Sequence, residues 1–132
     1  MRSKRERVLD YKRKKLERLI EKLRRSVVVV EGKRDKEALQ MLGVGKVVTI
    51  WGSADDFARK ISERYTEVLL LTDFDRRGCE MCVRLKEALV GYGVKADTTT
   101  RRDMKYILGL NFFEDILHSL EEFQSRFGPL NI

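Results

Sequence analysis

The stretch EVLLLTDFDRRG, residues 67–78, decides the fold class because an apolar run ends in two acids and two arginines. A short apolar run bounded by turn-forming residues predicts a buried β-strand. Asp73 and Asp75 lie two positions apart, so an extended backbone points both carboxylates to one side and Phe74 to the other. The stretch therefore predicts a strand whose carboxyl end carries two converging acids.

A second stretch of the same kind, SVVVVEGKRD, occupies residues 26–35. Its four valines form an unbroken apolar run, which is typical of a strand that is buried on both faces of a parallel sheet. Glu31 follows the run directly, and Gly32 permits a tight turn. The chain therefore carries acids at the ends of two predicted strands.

Strand-like and helix-like segments alternate along the chain, which predicts an α/β fold. Because parallel strands need crossover connections, the expected architecture is a Rossmann-like, doubly wound sheet of about four mostly parallel strands. If their order is 2-1-3-4, the first and third strands are neighbours. The predicted strands are Ser26–Val30, Lys46–Ile50, Glu67–Thr72 and Val94–Thr98. The predicted helices are Lys4–Arg25, Lys36–Leu42, Ala54–Tyr65, Gly78–Tyr92 and a tail over Arg101–Phe127, which Thr100 caps and Asn111 interrupts.

The 132 residues are expected to form one domain of three parts. These are a basic amphipathic N-terminal helix (residues 1–25), an α/β core (26–100) and a C-terminal helical extension packed on the core (101–132). The first part holds 12 Lys/Arg and 4 Asp/Glu, a net charge of +8, whereas the whole chain has a net charge of +7. The remaining residues are therefore close to neutral. This asymmetry indicates either contact with nucleic acid, RNA or DNA, or a solvated helix face.

The sequence contains no apolar run of the ~20 residues that cross a bilayer, and its basic start lacks the apolar stretch of a secretory signal. We therefore expect a cytoplasmic protein with no membrane partner. The oligomeric state stays open.

Ligands of a doubly wound sheet bind outside the carboxyl ends of its strands, where Glu31, Asp73 and Asp75 are expected to converge. Carboxylates held together repel one another unless a cation or a proton compensates. Mg²⁺, with Mn²⁺ as an alternative, fits best because it binds through one or two carboxylates plus waters and substrate phosphate. These three acids are the candidate metal-binding and catalytic residues, although each alone could equally be a turn former.

The motifs VVVVEGKRD and LLLTDFDRRG together resemble the two signature motifs of the Toprim domain. That domain occurs in topoisomerases, bacterial-type primases, recombination mediators, overcoming-lysogenization-defect nucleases and the ribonuclease that matures 5S ribosomal RNA. The resemblance covers roughly residues 27–98 and includes the order and spacing of both motifs. It implies a Toprim fold in which Glu31 acts as general acid or base and Asp73 and Asp75 coordinate Mg²⁺.

The resemblance also matches Asp35 to the acid that closes the first motif and Gly78 to the glycine of the second. The topoisomerase form of the second motif has acids on both sides of that glycine, whereas this chain has Arg77 and Cys79, with Glu80 one residue further on. The difference puts a second metal ion in doubt. The 132 residues leave no room for a topoisomerase's tyrosine domain, a primase's zinc module or an ATPase, so we expect a small stand-alone Toprim protein.

Six basic residues lie beside the acids or follow the fourth predicted strand at the same edge of the sheet. They could bind phosphates that flank a reacting bond, or simply pair with neighbouring carboxylates. They are Lys33, Arg34, Arg76, Arg77, Arg101 and Arg102.

The loop WGSADD, residues 51–56, is similar to the loop after strand two in small ribonuclease-like Toprim proteins. Its Trp51 is either a base-stacking platform or a packing residue. Cys79 and Cys82 have C-x-x-C spacing, but two cysteines and one histidine are too few for a four-ligand zinc site, so we expect them to be at least half-buried thiols.

The sequence thus favours a Mg²⁺-dependent enzyme of nucleic-acid phosphodiester chemistry, most simply a small nuclease resembling an RNase. The alternative is a non-catalytic nucleic-acid-binding accessory of priming, repair or RNA processing that keeps the metal site. A third interpretation, a haloacid-dehalogenase-type phosphatase or a receiver domain, is disfavoured because the Asp pair follows the third strand and is followed by Arg76.

Overall fold

A computed structural model describes all 132 residues and contains a parallel β-sheet with helices on both faces. Its strands are β1 (Val27–Val30), β2 (Lys46–Thr49), β3 (Glu67–Leu70) and β4 (Lys95–Asp97). Its helices are α1 (Lys4–Arg24), α2 (Lys33–Met41), α3 (Ala54–Ser62), α4 (Arg76–Gly91), α5 (Thr99–Leu108) and α6 (Ile116–Phe127), the last preceded by a 3₁₀ turn at Phe113–Asp115. None of the helices combines the length and apolarity that a bilayer crossing requires.

The four strands are all parallel and lie in the order β2-β1-β3-β4. The predicted fold class is therefore confirmed, and the strands have the order in which the first and third are neighbours. Val28 of β1 is in register with Leu69 of β3, so the carboxyl ends of these two strands are neighbours. This register is what brings the two acidic motifs to one place.

Successive strand residues alternate between two hydrophobic cores, one on each face of the sheet. Val28 and Leu69 pack in the larger core with residues of α1, α2, α5 and α6. Val29 and Leu70 pack in the other core with α3 and α4. Burial on both faces accounts for the unbroken apolar runs in the sequence.

Helix α1 is part of the larger core, although it carries most of the positive charge. Its Leu16, Ile20 and Leu23 are fully buried, and burying each such side chain contributes about 1.5–3 kcal/mol. The predicted amphipathic helix is confirmed. Deleting residues 1–25 would therefore remove core side chains together with the charge, so a nucleic-acid role of this helix has to be tested by surface substitutions.

The C-terminal tail forms α5 and α6, and the helix boundaries differ from the prediction at the start of α5. The helix begins at Thr99, two residues before the predicted Arg101, because the Asp97 carboxylate accepts hydrogen bonds from the backbone N–H groups of Thr99 and Thr100. Asp97, rather than the predicted Thr100, satisfies the helix end.

The predicted interruption near Asn111 is confirmed. Helix α5 ends at Gly109, whose φ of +65° suits a left-handed cap, and α6 starts after the 3₁₀ turn. The connecting loop lies against the acidic edge of the sheet, where the Phe74 N–H donates to the Asn111 carbonyl at 2.9 Å. The C-terminal extension therefore helps to build that edge.

Candidate functional site

The site begins with Glu31 after β1 and Asp73 after β3. A Glu31 carboxylate oxygen accepts a hydrogen bond of 2.6 Å from the backbone N–H of Asp73. The Asp73 carboxylate in turn accepts from the backbone N–H of Phe113 at 2.9 Å. The two acids are thus brought together as the strand order predicts, and the loop before α6 holds one of them.

Two further carboxylates line the same cavity, which has a volume of about 360 Å³. Asp35 is buried at 6% exposure and accepts a hydrogen bond of 3.0 Å from the Gly32 N–H. This contact starts α2 at Lys33, three residues before the predicted start. Glu114 comes from the 3₁₀ turn and was missed by the sequence analysis; its only signal was an acidic pair after the predicted break in the tail.

Burial and neighbouring charges raise the pKa values of the two aspartates in the cavity, Asp73 and Asp35. Burial raises the pKa of Asp73 to about 7 against the opposing hydrogen bond from Phe113, and the charges of Asp35 and Glu31 push the pKa the same way. Burial also raises the pKa of Asp35, with the charges of Glu31 and Glu114 adding to the effect. Negative charge is therefore costly here, and a proton or a cation would relieve it.

Asp75, the third candidate ligand, has a different local role. It is exposed and caps α4, because its carboxylate accepts a hydrogen bond of 2.8 Å from the Gly78 N–H. Helix α4 consequently begins at Arg76 rather than at the predicted Gly78. No three Asp, Glu, His or Cys side chains are grouped as a ready-made metal cage, and Asp75 does not line the cavity with Glu31 and Asp73.

Gly78 allows the start of α4 to approach the Asp73 loop closely. A Cβ atom at this position would lie 2.7 Å from the Asp73 carbonyl carbon and 2.9 Å from an Asp75 carboxylate oxygen. The buried Thr72 hydroxyl donates to the Gly78 carbonyl at 2.8 Å and closes the same junction. At Gly32, by contrast, a Cβ atom would make only an ordinary contact of 3.9 Å with Asp35.

Arg101 is fastened to the Asp73 loop. Its guanidinium donates hydrogen bonds of 2.7 Å to the Thr72 carbonyl and 2.6 Å to the Asp73 carbonyl. It also lies 4.3 Å from the centre of the Phe74 ring, a cation–π distance. Arg102 is exposed and makes no ion pair or side-chain hydrogen bond. The two arginines that the sequence analysis treated alike therefore occupy different environments.

The other predicted basic residues also differ in their partners. Arg76 is paired with Glu80 at 3.1 Å, and Lys33 lies 3.9 Å from Glu37. Arg34 and Arg77 line the acidic cavity, are exposed, and have no ion-pair partner. These two guanidinium groups are available to an anionic ligand.

The remaining predicted residues lie at the margin of the site. Cys82 is buried as expected, but Cys79 is exposed, so the prediction for Cys79 was wrong. Cys79 lies in the first turn of α4 and its side chain faces Arg101, whose guanidinium lies 3.4 Å from the sulfur. Trp51 is 49% exposed and contacts Phe57 edge-on, with ring centres 5.9 Å apart.

A family model described as the Toprim domain matches residues 25–100, more than half of the chain. The chain belongs to the Toprim domain family. A UPF0292 protein of Pyrococcus horikoshii is 36% identical over 121 residues, which cover 88% of this chain and 92% of the relative. A UPF0292 protein of Methanocaldococcus jannaschii is 41% identical over 83 residues, or 58% and 62% of the two chains. A solved structure from Aquifex aeolicus has a TM-score of 0.67 at 27% identity and covers 74% of this chain and 94% of that one.

A Toprim domain indicates a metal-dependent enzyme or binder of nucleic acid, and Toprim domains typically bind Mg²⁺. The residues present fit that ion. The donor groups are all carboxylates, and Mg²⁺ needs only one or two of them because waters and phosphate complete its shell. The raised pKa of Asp73 reflects the same crowding that a divalent cation would compensate. Glu31 and Asp73 would hold the ion, and Asp75 is the nearest additional acid along the chain.

Proposed function

We propose that the protein is a Mg²⁺-dependent enzyme of nucleic-acid phosphodiester chemistry, most simply a small nuclease. The observation that carries the proposal is the pairing of Glu31 and Asp73 in one cavity with the unpaired guanidinium groups of Arg34 and Arg77. A bound Mg²⁺ would polarise a phosphoryl oxygen or activate a water. This combination of acids and free cations suits a substrate that brings both a metal and phosphates.

The acids divide into two roles in this proposal. Glu31 and Asp73 hold the ion, and Glu31 is placed to move a proton as general acid or base. Asp35 and the backbone N–H of Phe113 act as positioning groups, because they fix the turn after β1 and the carboxylate of Asp73. Each ligand is therefore held by contacts outside its own strand.

The start of α4 supports phosphate binding. Arg76 and Arg77 occupy the first turn of α4, which contains no acidic residue. The amino end of a helix carries partial positive charge, so two cations there are unfavourable unless an anion compensates. Asp75 caps the helix and Glu80 pairs with Arg76, so Arg77 is the cation that has no acidic partner, and a substrate phosphate would supply one.

The proposal is tested by incubating the purified protein with labelled structured RNA, single-stranded RNA and DNA, with Mg²⁺, Mn²⁺ or EDTA. We expect cleavage that requires the metal and that Glu31→Gln and Asp73→Asn abolish. Glu63→Gln is the matched control, because it removes an exposed acid at the far end of α3. Cleavage that survives both site variants, or that is absent with every substrate, would contradict the enzyme proposal.

A second function, a non-catalytic nucleic-acid binder that keeps the metal site, has one specific observation in its favour. The Asp75 carboxylate is engaged as a helix cap, and Arg77 and Cys79 flank Gly78 where other members of the family carry acids. Tight, steeply salt-dependent binding of RNA or DNA without turnover would select this alternative.

A further inference from the structure

A second cavity of about 410 Å³ lies between the loop after β2 and helix α4. Ile50, Met81 and Leu85 give it an apolar floor, and Arg77 and Arg84 give it two cations. The start of α3, at Ser53 and Ala54, forms the opposite wall. Leu85 belongs to the smaller core, and Ile50 and Met81 pack against that core, whereas the two exposed arginines take no part in it.

The second cavity lies next to the acidic one and shares one lining residue with it. Arg77 lines both cavities, so a ligand that contacts this guanidinium from the carboxylate side can continue into the second cavity. Both lie at the carboxyl edge of the sheet, where doubly wound folds bind ligands. The two cavities therefore behave as adjoining parts of one groove.

Helix α4 sets the spacing of the groups in this groove. Arg77, Met81 and Arg84 are four and three residues apart, which places them along one face of the helix. The two arginines are separated by a helical rise of about 10 Å, with the methionine between them. An apolar contact flanked by two cations matches a nucleotide within a strand, because the base has an apolar face and the sugar is linked to a phosphate at each of its 5′ and 3′ positions.

Arg84 is available for such a ligand. Its nearest acid is Glu80 at 3.7 Å, and its side chain is 71% exposed, so the pair is weak. Trp51, which is half exposed, does not line the cavity but directly precedes its lining residue Gly52 in the chain. A phosphate could replace the carboxylate contact of Arg84 at little cost.

We propose that this second cavity binds an unpaired nucleotide next to the phosphate held at the carboxylate site, so that the substrate is single-stranded nucleic acid. The inference rests on the proposed function, because the nucleotide belongs to the same nucleic-acid substrate whose phosphate binds at the carboxylate site. A duplex keeps its bases stacked inside the helix, whereas a single strand can present the face of a base to Met81 and the apolar floor.

The test measures binding of fluorescein-labelled single strands of about eight nucleotides, RNA and DNA, and of the blunt duplex of the same sequence. Mg²⁺ is present and the protein carries Glu31→Gln in these binding measurements, because the proposed function predicts that the unaltered protein would cleave the probe; gels verify that the probe stays intact. We expect single strands to bind at least about fivefold more tightly than the duplex, and Met81→Ala and Arg84→Ala each to weaken single-strand binding about fivefold or more. The matched controls Met41→Ala and Arg64→Ala change exposed residues at the opposite edge of the sheet and should have little effect.

Equal binding of duplex and single strand would overturn the inference, as would losses of equal size in the two control variants. Thermal unfolding of all four variants tests whether they remain folded. The rise in melting temperature on adding Mg²⁺ tests the proposed metal site separately from the nucleotide site. This rise should depend on Glu31 and Asp73 and should be unchanged by Met81→Ala and Arg84→Ala. Metal-dependent cleavage with unaltered strand preference in the groove variants would refute the nucleotide site and leave the proposed function standing. If the protein prefers single strands to the duplex, Met81→Ala and Arg84→Ala abolish that preference, and Mg²⁺ does not raise the melting temperature, only the metal site is refuted.

Discussion

Replacing Gly78 by alanine should destabilise the protein and displace Asp73, although alanine is the better helix former. The added Cβ would lie 2.7 Å from the carbonyl carbon of Asp73 and 2.9 Å from the capping oxygen of Asp75. Neither group is the free end of a flexible side chain, because one is backbone and the other is held by the Gly78 N–H. The start of α4 and the acidic loop must therefore move apart.

The magnitude follows from three contributions. Overpacking of this kind costs about 1–3 kcal/mol. Weakening the Asp75 cap adds about 1 kcal/mol, whereas the helix propensity of alanine returns at most about 1 kcal/mol. The net loss is about 2 kcal/mol, which for a chain of this size lowers the melting temperature by roughly 7 °C.

Gly91→Ala is the matched control because Gly91 ends the same helix and a Cβ there would meet nothing within 4 Å. Its backbone does not adopt a positive φ, so alanine should stabilise the protein by about 0.5 kcal/mol. Urea and thermal unfolding without Mg²⁺ measure both variants. If the two variants differ by less than about 1 kcal/mol, the close approach at Gly78 is not what holds this junction, and the reasoning is refuted.

Four further predictions concern charge. Asp73→Asn should stabilise the metal-free protein at pH 8 but not near pH 4, because a folded-state pKa of about 7 lies above the ordinary 3.8, so that wild-type stability falls as pH rises through this interval. A pKa shift of this size corresponds to ~4 kcal/mol of unfolding free energy, which solvent screening around this partly exposed carboxyl reduces to about 1–2 kcal/mol. Unfolding curves of both proteins at the two pH values measure the difference. Burial tends to raise the pKa of Asp97, but hydrogen bonds from Lys22 and from the N–H groups of Thr100 and Thr99 lower it overall. Lys22→Met should therefore reduce the free energy of unfolding by about 1 kcal/mol at pH 7 and by progressively less as the pH falls below 3.8. Glu21→Ala, which removes an exposed ion pair, should be nearly neutral in the same unfolding assay. Arg101→Gln should reduce the stabilisation of the protein by Mg²⁺, measured as a melting-temperature shift, because it frees the Asp73 loop, and Arg102→Gln should not. Replacing the exposed Lys4, Arg5 and Arg7 by glutamine should flatten the dependence of nucleic-acid affinity on salt, measured by anisotropy, only if α1 contacts phosphates.

The placement of Glu31 and Asp73 could be predicted because it depends on rules that act through the whole sheet. Unbroken apolar runs indicate parallel strands, and the structure places β1 and β3 next to each other, an order that the sequence alone does not determine. The acids that follow these strands must then share an edge. The C-x-x-C spacing, by contrast, did not indicate that Cys79 is exposed, because that depends on how the first turns of α4 meet the Asp73 loop.

Asp75 shows how local and tertiary demands compete for one carboxylate. Its spacing from Asp73 suggests a shared ligand role, yet an aspartate three residues before Gly78 is equally suited to cap a helix. The hydrogen bond to the Gly78 N–H is the physical reason that the cavity holds Glu31 and Asp73 without Asp75.

The candidate site is built jointly by the Toprim core and by the segment that follows it. The family match ends at Thr100, but the groups that fix the Asp73 loop, namely Arg101, the Asn111 carbonyl and the Phe113 N–H, all lie beyond it. Glu114, from the same segment, adds a fourth acid to the cavity. Because burial is the largest cause of the raised pKa of Asp73, any change in the packing of this segment should alter the charge of the acid that we propose as a metal ligand. The C-terminal extension therefore sets the chemistry of a site whose acids lie mainly within the family core.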